Sequence, residues 1–445
     1  MTIKTVPTRD TFEAIRFGFG RPGPTGTPVT QTMPGRKEVA AASQEFRRVR
    51  KSMKDSDGKP SDAERSIRDR LRRTISTHWT ISVARAVSPE DDFFERAAHF
   101  WFDHFTIELT NIATMPFVQP YIEEAIRPNV YGYFADLLKA AAMHPSMLLY
   151  LDQAASIGPN SVAGNRREGR GLNENLAREI LELHTLGVDA AYTQTDVREL
   201  AELLTGLSLD AGQMGFNFRP AMAEPGPETI LGKRYGGARR ADLSEIAPIF
   251  EDLAMHPDTA RHISRKLAVH FVSDTPSEAL VADLTAVYMK TDGYLPALYE
   301  ALRAHPEALD RFGSKAKQPF DFLVSAFRAL GVEGSDIIDA PPGSLKRFVI
   351  DPLDAMGQPW RAPGGPDGWP EELEAWITPQ GMATRISWAL EAPKAMGLKN
   401  LEPEVVMDRA LGELASDRLR WAVPKAESRR QGVALVLASP EFNRR

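Results

Sequence analysis

Two stretches of the chain crowd side chains capable of proton transfer or metal ligation into short helical runs. NENLAREILELHTLG (173–187) carries Arg178, Glu179, Glu182 and His184, and FFERAAHFWFDHFTIE (93–108) carries His99, Asp103 and His104. A helical advance of about 100° per residue splits the first stretch into two faces. Leu176, Ala177, Ile180, Leu181, Leu183 and His184 share one arc, and Asn175, Arg178, Glu179 and Glu182 share the other. Two carboxylates at this i, i+3 spacing share a proton or a metal ion if they face a cleft; facing water, they are a solvated surface paired with Arg178. A histidine centred on an apolar face must satisfy both ring nitrogens. His184 is therefore either a core residue bonded to backbone or a functional group. In the second stretch Phe93, Ala97, Trp101 and Phe105 form the inner stripe with His104 inside it, while His99 and Asp103 lie on a flank, close enough to touch. Two helices with a histidine at the centre of the buried face can meet, and a histidine pair is a ligand set for a divalent metal. His104, Glu179, Glu182 and His184 are the candidate catalytic groups, and no motif specifies which metal, if any, they would hold.

Upstream of the first stretch, SIGPNSVAGNRREGRGLNEN places Arg166, Arg167 and Arg170 just before Asn173, the expected N-cap of a helix running to about 186 with Gly187 beyond its end. Backbone N–H groups at a helix start together with three arginines favour a small anion. The competing reading is a solvated loop. No Gly-Lys-Ser/Thr follows, so the loop is not a nucleotide-binding P-loop.

The elements that must position these groups are mostly helical. Residues 1–60 read as an N-terminal arm and charged linker, rich in Gly, Pro and Lys/Arg and interrupted by a short helix around 36–54. From about Ala63 apolar residues recur at three- and four-residue steps. One short β-hairpin is expected, GFNFR (215–219) with TILGKRY (229–235). His144, His256 and His305 each precede a proline, and Ser439-Pro440 repeats the device. Proline suits the first helical position and bars its predecessor from the helix, so these are corners between helices. In YTQTDVRELAELLTGL, Thr193 and Asp196 make a capping pair and Gly206 closes the helix. In TARHISRKLAVHF (259–271), Lys266 and His270 sit at the border of the buried stripe as rim residues of a cleft. Trp360, Trp369, Trp376 and Trp388 fall in or beside a Pro/Gly-rich irregular segment at 351–380, which tryptophans would anchor over the helical body; a stacking platform is the alternative.

Composition excludes several function classes. The 445 residues are 42% hydrophobic and 26% charged, an ordinary folded mix, and a net charge of −6 gives no field for nucleic acid. The absence of cysteine removes disulfides, thiolate metal sites, iron–sulfur clusters and cysteine nucleophiles. There is no haem or nucleotide motif and no apolar run of membrane-spanning length. The N-terminus has no apolar signal core, which makes a cytoplasmic location the expectation.

Several segments together resemble the bacterial family called domain of unknown function 1800: FWFDHFT, YLDQAASIGPNSVAGN, GLNENLAREILELHTLGVDAAYTQTDVRELAELLTGLS, ILGKRYGG, HPDTARHISRKLAVHFVSD, KQPFDFLVSAFRALG, MGQPWRAPGGPDGWP and LASPEFNRR. The resemblance runs from about Phe12 to the C-terminus. It implies no reaction. It implies that a family site, if retained, lies among the matching residues His104, Asn173, Asn175, Arg178, Glu179, Glu182, His184 and Arg219, which adds Asn175, Arg178 and Arg219 to the anion-binding candidates. Two departures stand out: Asp103 where the family favours Asn, and AEPGPETILG, with Ala223 and Glu228 where the family favours His and Lys. The expectation is an all-α protein with one large helical domain over 61–445. Its function is either an enzyme or metal- or anion-binding protein with a polar cleft around helix 173–186, or a scaffold whose motif residues form a buried network. Its partner would be a small anionic ligand or another protein.

Overall fold

The computed structural model describes residues 6–24, 26–52, 60–166, 171–210, 212, 214–237 and 242–445. The protein is mainly helical, with 22 α-helices and two two-stranded antiparallel sheets among the described residues. No helix among them is long and apolar enough to cross a membrane.

The His-Pro corners show how local chemistry sets this architecture. Helices Pro145–Tyr150, Pro257–Phe271 and Pro306–Asp310 each begin at the proline, with the preceding histidine as N-cap. The imidazole does what Ser or Asp does elsewhere: Nδ1 accepts the backbone N–H of Ser146 (3.1 Å), Asp258 (3.2 Å) and Glu307 (3.2 Å). That role requires a neutral ring with its proton on Nε2. His144 Nε2 lies 3.5 Å from Glu124 Oε2, and His305 Nε2 lies 3.5 Å from Asp283 Oδ2. Ser439 caps the fourth corner by accepting from Phe442 N at 3.2 Å. His144→Ala should therefore cost about 1 kcal/mol, while His144→Asn, which keeps an acceptor in reach, should recover most of it. Urea unfolding of the two variants checks this, and equal losses would show that the ring acts by packing alone.

Two large hydrophobic cores organise the helices. One gathers side chains from Phe12 to Ala308, and the other joins the region around Val83–Val87 to residues 320–442. The segment read as an arm contributes to both. Helix Arg9–Arg16 and its extension put Phe12 and Phe17 into the first core and Ile15 and Phe19 into the second. Each such Phe contributes roughly 2 kcal/mol of transfer free energy to the packing of this segment. The short helix expected around 36–54 is Arg36–Ser52. Thr193 and Asp196 form the reciprocal capping box, and Gly206 closes that turn with φ of 91°.

The hairpin expectation needs correction. GFNF and TIL do not pair with each other. Strand β1 (Leu207–Asp210) pairs with β2 (Gly215–Phe218), and β3 (Pro227–Ile230) pairs with β4 (Lys233–Gly236). The reason is the two-residue turn at Leu231-Gly232, where both residues have positive φ (49° and 79°). That conformation matches the twist of flanking strands and closes a local hairpin before a longer loop can compete.

Candidate functional site

Helix 173–186 of the sequence reading is shorter and irregular. An α-helical segment Asn175–Glu179 passes into a π-helical turn, Ile180–His184, and Gly187 ends it at φ of 94°. The wider turn leaves the carbonyls of its last residues to outside partners. His104 Nε2 donates to the His184 carbonyl at 3.2 Å, and His262 Nε2 donates to the Leu183 carbonyl at 3.2 Å. The ring centroids of His104 and His184 are 6.0 Å apart, and those of His104 and His262 are 6.4 Å apart. The two helices thus meet at their histidines, as their apolar faces imply. All three rings are held in the neutral form, by burial first and then by the Lys266 ammonium, with His184 pushed down to about 3 and His262 to about 4. Among the described residues these rings do not bring three ligand atoms into one coordination sphere; Glu199, Glu202 and Glu228 do, within 4.8 Å.

Several carboxyls near these histidines are perturbed as a group. Glu179 is half-buried, and burial, Glu182 and Asp367 lift its carboxyl to about 7. Asp103 sits next to His104 in sequence but turns to the other side. Its Oδ1 accepts the Trp369 backbone N–H at 3.0 Å. Burial lifts its carboxyl to about 7 against the pull of Lys266, whose own ammonium is pushed down by burial. Asp367 acts electrostatically on Asp103, Glu179, Tyr150 and Lys266 alike, which makes them one electrostatic unit.

Asp103 also lines a cavity of about 80 Å³. Its walls are Phe19, Phe100, Phe102 and Phe320; His99, His270 and Gln358 supply polar groups, and Trp360 and Trp369 close it. The Trp360 indole N–H is buried and unpaired. His99 does not pair with Asp103 as their spacing suggested. It stacks on Phe320 at 4.8 Å and lies 3.8 Å from Glu95. His270 donates from Nδ1 to Glu371 and accepts the Arg96 Nε–H at 3.2 Å on Nε2. Glu371 is in turn held well below the usual carboxylate range by His270, Lys315 and Arg445.

The irregular Trp-rich segment supplies this wall. Trp376 Nε1 donates to the Pro370 carbonyl (2.9 Å), tying the segment back on itself, whereas Trp388 belongs to helix Pro379–Ala395 and donates to the Phe348 carbonyl (3.0 Å) outside the segment. Gly368, at φ of 83°, passes so close to Asp103 that a Cβ would lie 2.7 Å from its Oδ2. Lys266 and His270, read in the sequence as rim residues, both belong to the site. Asp367 and Glu371 carried no sequence signal, since isolated acids among Pro and Gly look like loop polarity.

Of the residues read as an anion site, Asn173, Arg178 and Arg219 bond to the chain itself. Arg167 and Arg170 lie outside the described residues, and Arg166 is exposed. Asn173 is occupied structurally: its amide donates to the Leu151 carbonyl (3.0 Å) and its Oδ1 accepts from Asn175 N (2.9 Å). The N-cap position belongs to Glu174, whose Oε2 accepts from Arg178 (3.3 Å) and Gln194 (2.8 Å). The Glu174 carboxylate makes no capping bond to the helix and instead occupies Arg178. Arg219 donates to the Leu209 carbonyl at 3.0 Å and braces its hairpin. Asn175 is exposed at the helix start.

At the second departure, Glu228 is buried beside Glu199 and Glu202, and burial with Glu199 lifts its carboxyl to about 8. A lysine there would neutralise the two helix carboxylates; this chain carries a proton instead. Ala223 is buried beside Gly206, with no polar atom to offer.

Fold and site define a mainly helical protein with a cavity, walled by aromatic rings and bearing the carboxyl of Asp103, whose helix also carries one of three neutral buried histidines. The chain belongs to the family described as protein of unknown function (DUF1800), whose model matches residues 16–444. No curated protein and no solved structure matches the chain.

Proposed function

We propose that this protein is an enzyme that carries out general acid–base chemistry on a small polar substrate bound in the cavity beside Asp103. The observation that carries this reading is the Asp103 carboxyl itself. It is lifted to about 7, oriented by one backbone N–H, faced by Lys266, and open to a cavity that also holds the unpaired Trp360 N–H. A carboxyl that titrates near neutrality gives up and takes back a proton at little cost, and such groups concentrate where chemistry is done. Trp360 offers a hydrogen bond to a substrate acceptor. Glu179, also near 7 and sharing the field of Asp367 with Asp103, is the second proton carrier. His104 and His184 are positioning residues: His104 fixes the π turn that carries Glu182 and directly follows Glu179, and both are neutral and buried.

The test is a panel of small ester, amide, lactone and glycoside substrates assayed between pH 5 and 9. The expected rate follows a group titrating near 7. Asp103→Asn should lower turnover by roughly 10²–10⁴-fold, whereas His104→Gln should change it less and mainly through stability. Turnover unaffected by Asp103→Asn, or no turnover of any member of the panel, would overturn the reading in favour of a scaffold whose polar residues only hold the fold.

A further inference from the structure

We propose that the Arg445 guanidinium, with Arg16 beside it, forms an internal binding site for a small oxyanion. Arg445 is 1% exposed, yet its Nε, Nη1 and Nη2 are all without hydrogen-bond partners. Its ion-pair partner is Asp321, whose Oδ2 lies 3.5 Å from Arg445 Nε and is already taken by Arg96 Nη2 at 2.9 Å. Arg16 is fully buried; Nη1 donates to the carbonyls of Phe271 (3.2 Å) and Val272 (2.9 Å), but Nε and Nη2 have no partner. Leaving one buried donor unmade costs about 1–3 kcal/mol and more when it is charged, so unpaired donors on two buried guanidiniums that repel one another call for an acceptor.

Charge points the same way. Arg16, Arg96, Arg385, Arg445 and Lys317 are all buried in this region, with Asp321 as the carboxylate among them. Glu371 also feels Arg445 but is bound to His270 and Lys315. The Lys317 ammonium sits 4.1 Å over the Phe442 ring, and burial with the repulsion of Arg385, Arg445 and Arg96 pushes it down to about 7. Arg16 is likewise pushed down to about 9 by burial and then by Arg445. An anion between Arg445 and Arg16 relieves both costs at once. Guanidinium donors arranged as planar forks match two oxygens of one ligand, which selects phosphate, sulfate or a carboxylate over a halide. The site is distinct from the proposed catalytic group, since Arg445 and Arg16 do not line the cavity beside Asp103. The cavity does end on Arg96, His270 and Asp321, and Arg445 acts electrostatically on all three.

The experiment uses the full chain, desalted into a buffer free of small anions and titrated with sodium phosphate or sodium sulfate against sodium chloride at equal ionic strength. The expected result is a saturable rise in the unfolding midpoint with either oxyanion, absent with chloride. Arg445→Met should abolish it. Asp321→Asn, which removes the competing carboxylate, should lower the half-effect concentration roughly tenfold. Ion chromatography of the desalted, acid-denatured protein should release close to one equivalent of oxyanion if the site is filled on isolation. If Arg445→Met does not fold, the Asp321→Asn titration decides. A response equal for all three salts and indifferent to either substitution is an adventitious ion only and overturns the proposal, as does the absence of any saturable response.

Discussion

Replacing Asp103 with Asn should make the protein more stable at pH 8, by roughly 3 kcal/mol, while leaving its stability at pH 4 nearly unchanged. The Asp103 carboxyl has a folded-state value of about 7 against 3.8 when unfolded. A raised value means that the folded state holds the proton more tightly. Below about pH 4 both states are protonated and the group costs nothing. As pH rises from about 4 to about 7 the unfolded state ionises freely while the folded state resists, so stability is lost across that window. Above about 7 both are ionised and the full cost is present. The complete shift corresponds to about 4 kcal/mol, which the partial exposure of the side chain reduces. Asn keeps an acceptor for the Trp369 N–H and cannot ionise, so it escapes the cost. Urea unfolding of both proteins at several pH values gives a difference curve in which Glu179 and the other titrating groups largely cancel. A flat difference between pH 4 and 8 would show that Asp103 is an ordinary carboxylate and would remove the ground for its acid–base role. A variant that gains stability as it loses turnover is what a site strained for function predicts.

A loss of about 3–5 kcal/mol is expected for Arg328→Met. The Arg328 side chain is 1% exposed and joins three segments. Nε donates to the Val87 carbonyl (2.9 Å), Nη1 to the Gly20 carbonyl (2.8 Å) and Nη2 to the Ala86 carbonyl (2.8 Å) and Asp92 Oδ1 (2.6 Å). Ala86 and Val87 end helix Asp62–Val87, so the guanidinium satisfies carbonyls at the negative end of its dipole. Asp92 begins helix Asp92–His104, the helix that carries Asp103 and His104. Methionine fills the space but strands three buried carbonyls and the Asp92 carboxylate. Arg328→Lys should recover only part of the loss, because one ammonium cannot span the fork. Equilibrium unfolding of both variants is the measurement; a loss below about 1 kcal/mol for Met would mean that water replaces the guanidinium without penalty.

The local rules of the chain carried a good part of the fold. Helical periodicity, the Thr193–Asp196 box, Gly187 and the His-Pro corners depend on residues within a turn of one another, and the structure keeps each of them. The meeting of His104 and His184 was also legible, because a polar ring in the middle of an apolar stripe has few ways to be satisfied. The pairing of the strands was less so, since it turned on a two-residue loop in which Leu231 adopts a conformation its type disfavours.

The site itself is an assembly. Asp103 comes from the helix ending at His104, Lys266 and His270 from helix Pro257–Phe271, and Asp367, Trp369 and Glu371 from an irregular segment about a hundred residues later; Arg445, next to it, comes from the far end of the sequence. Sequence periodicity assigns each residue to a face but says nothing of which faces meet across such separations. Nor does it reveal the π turn, which rotates one side chain and frees the carbonyls that His104 and His262 take. The sequence by itself determined the helical class, the corners and the two histidine-bearing faces, because those follow from steric and hydrogen-bonding preferences acting over a few residues. The tertiary structure alone decided the acidity of Asp103 and Glu179 and the unpaired state of Arg445. A pKa and a missing partner are properties of what surrounds a group, and that surrounding is brought together only when the chain has folded.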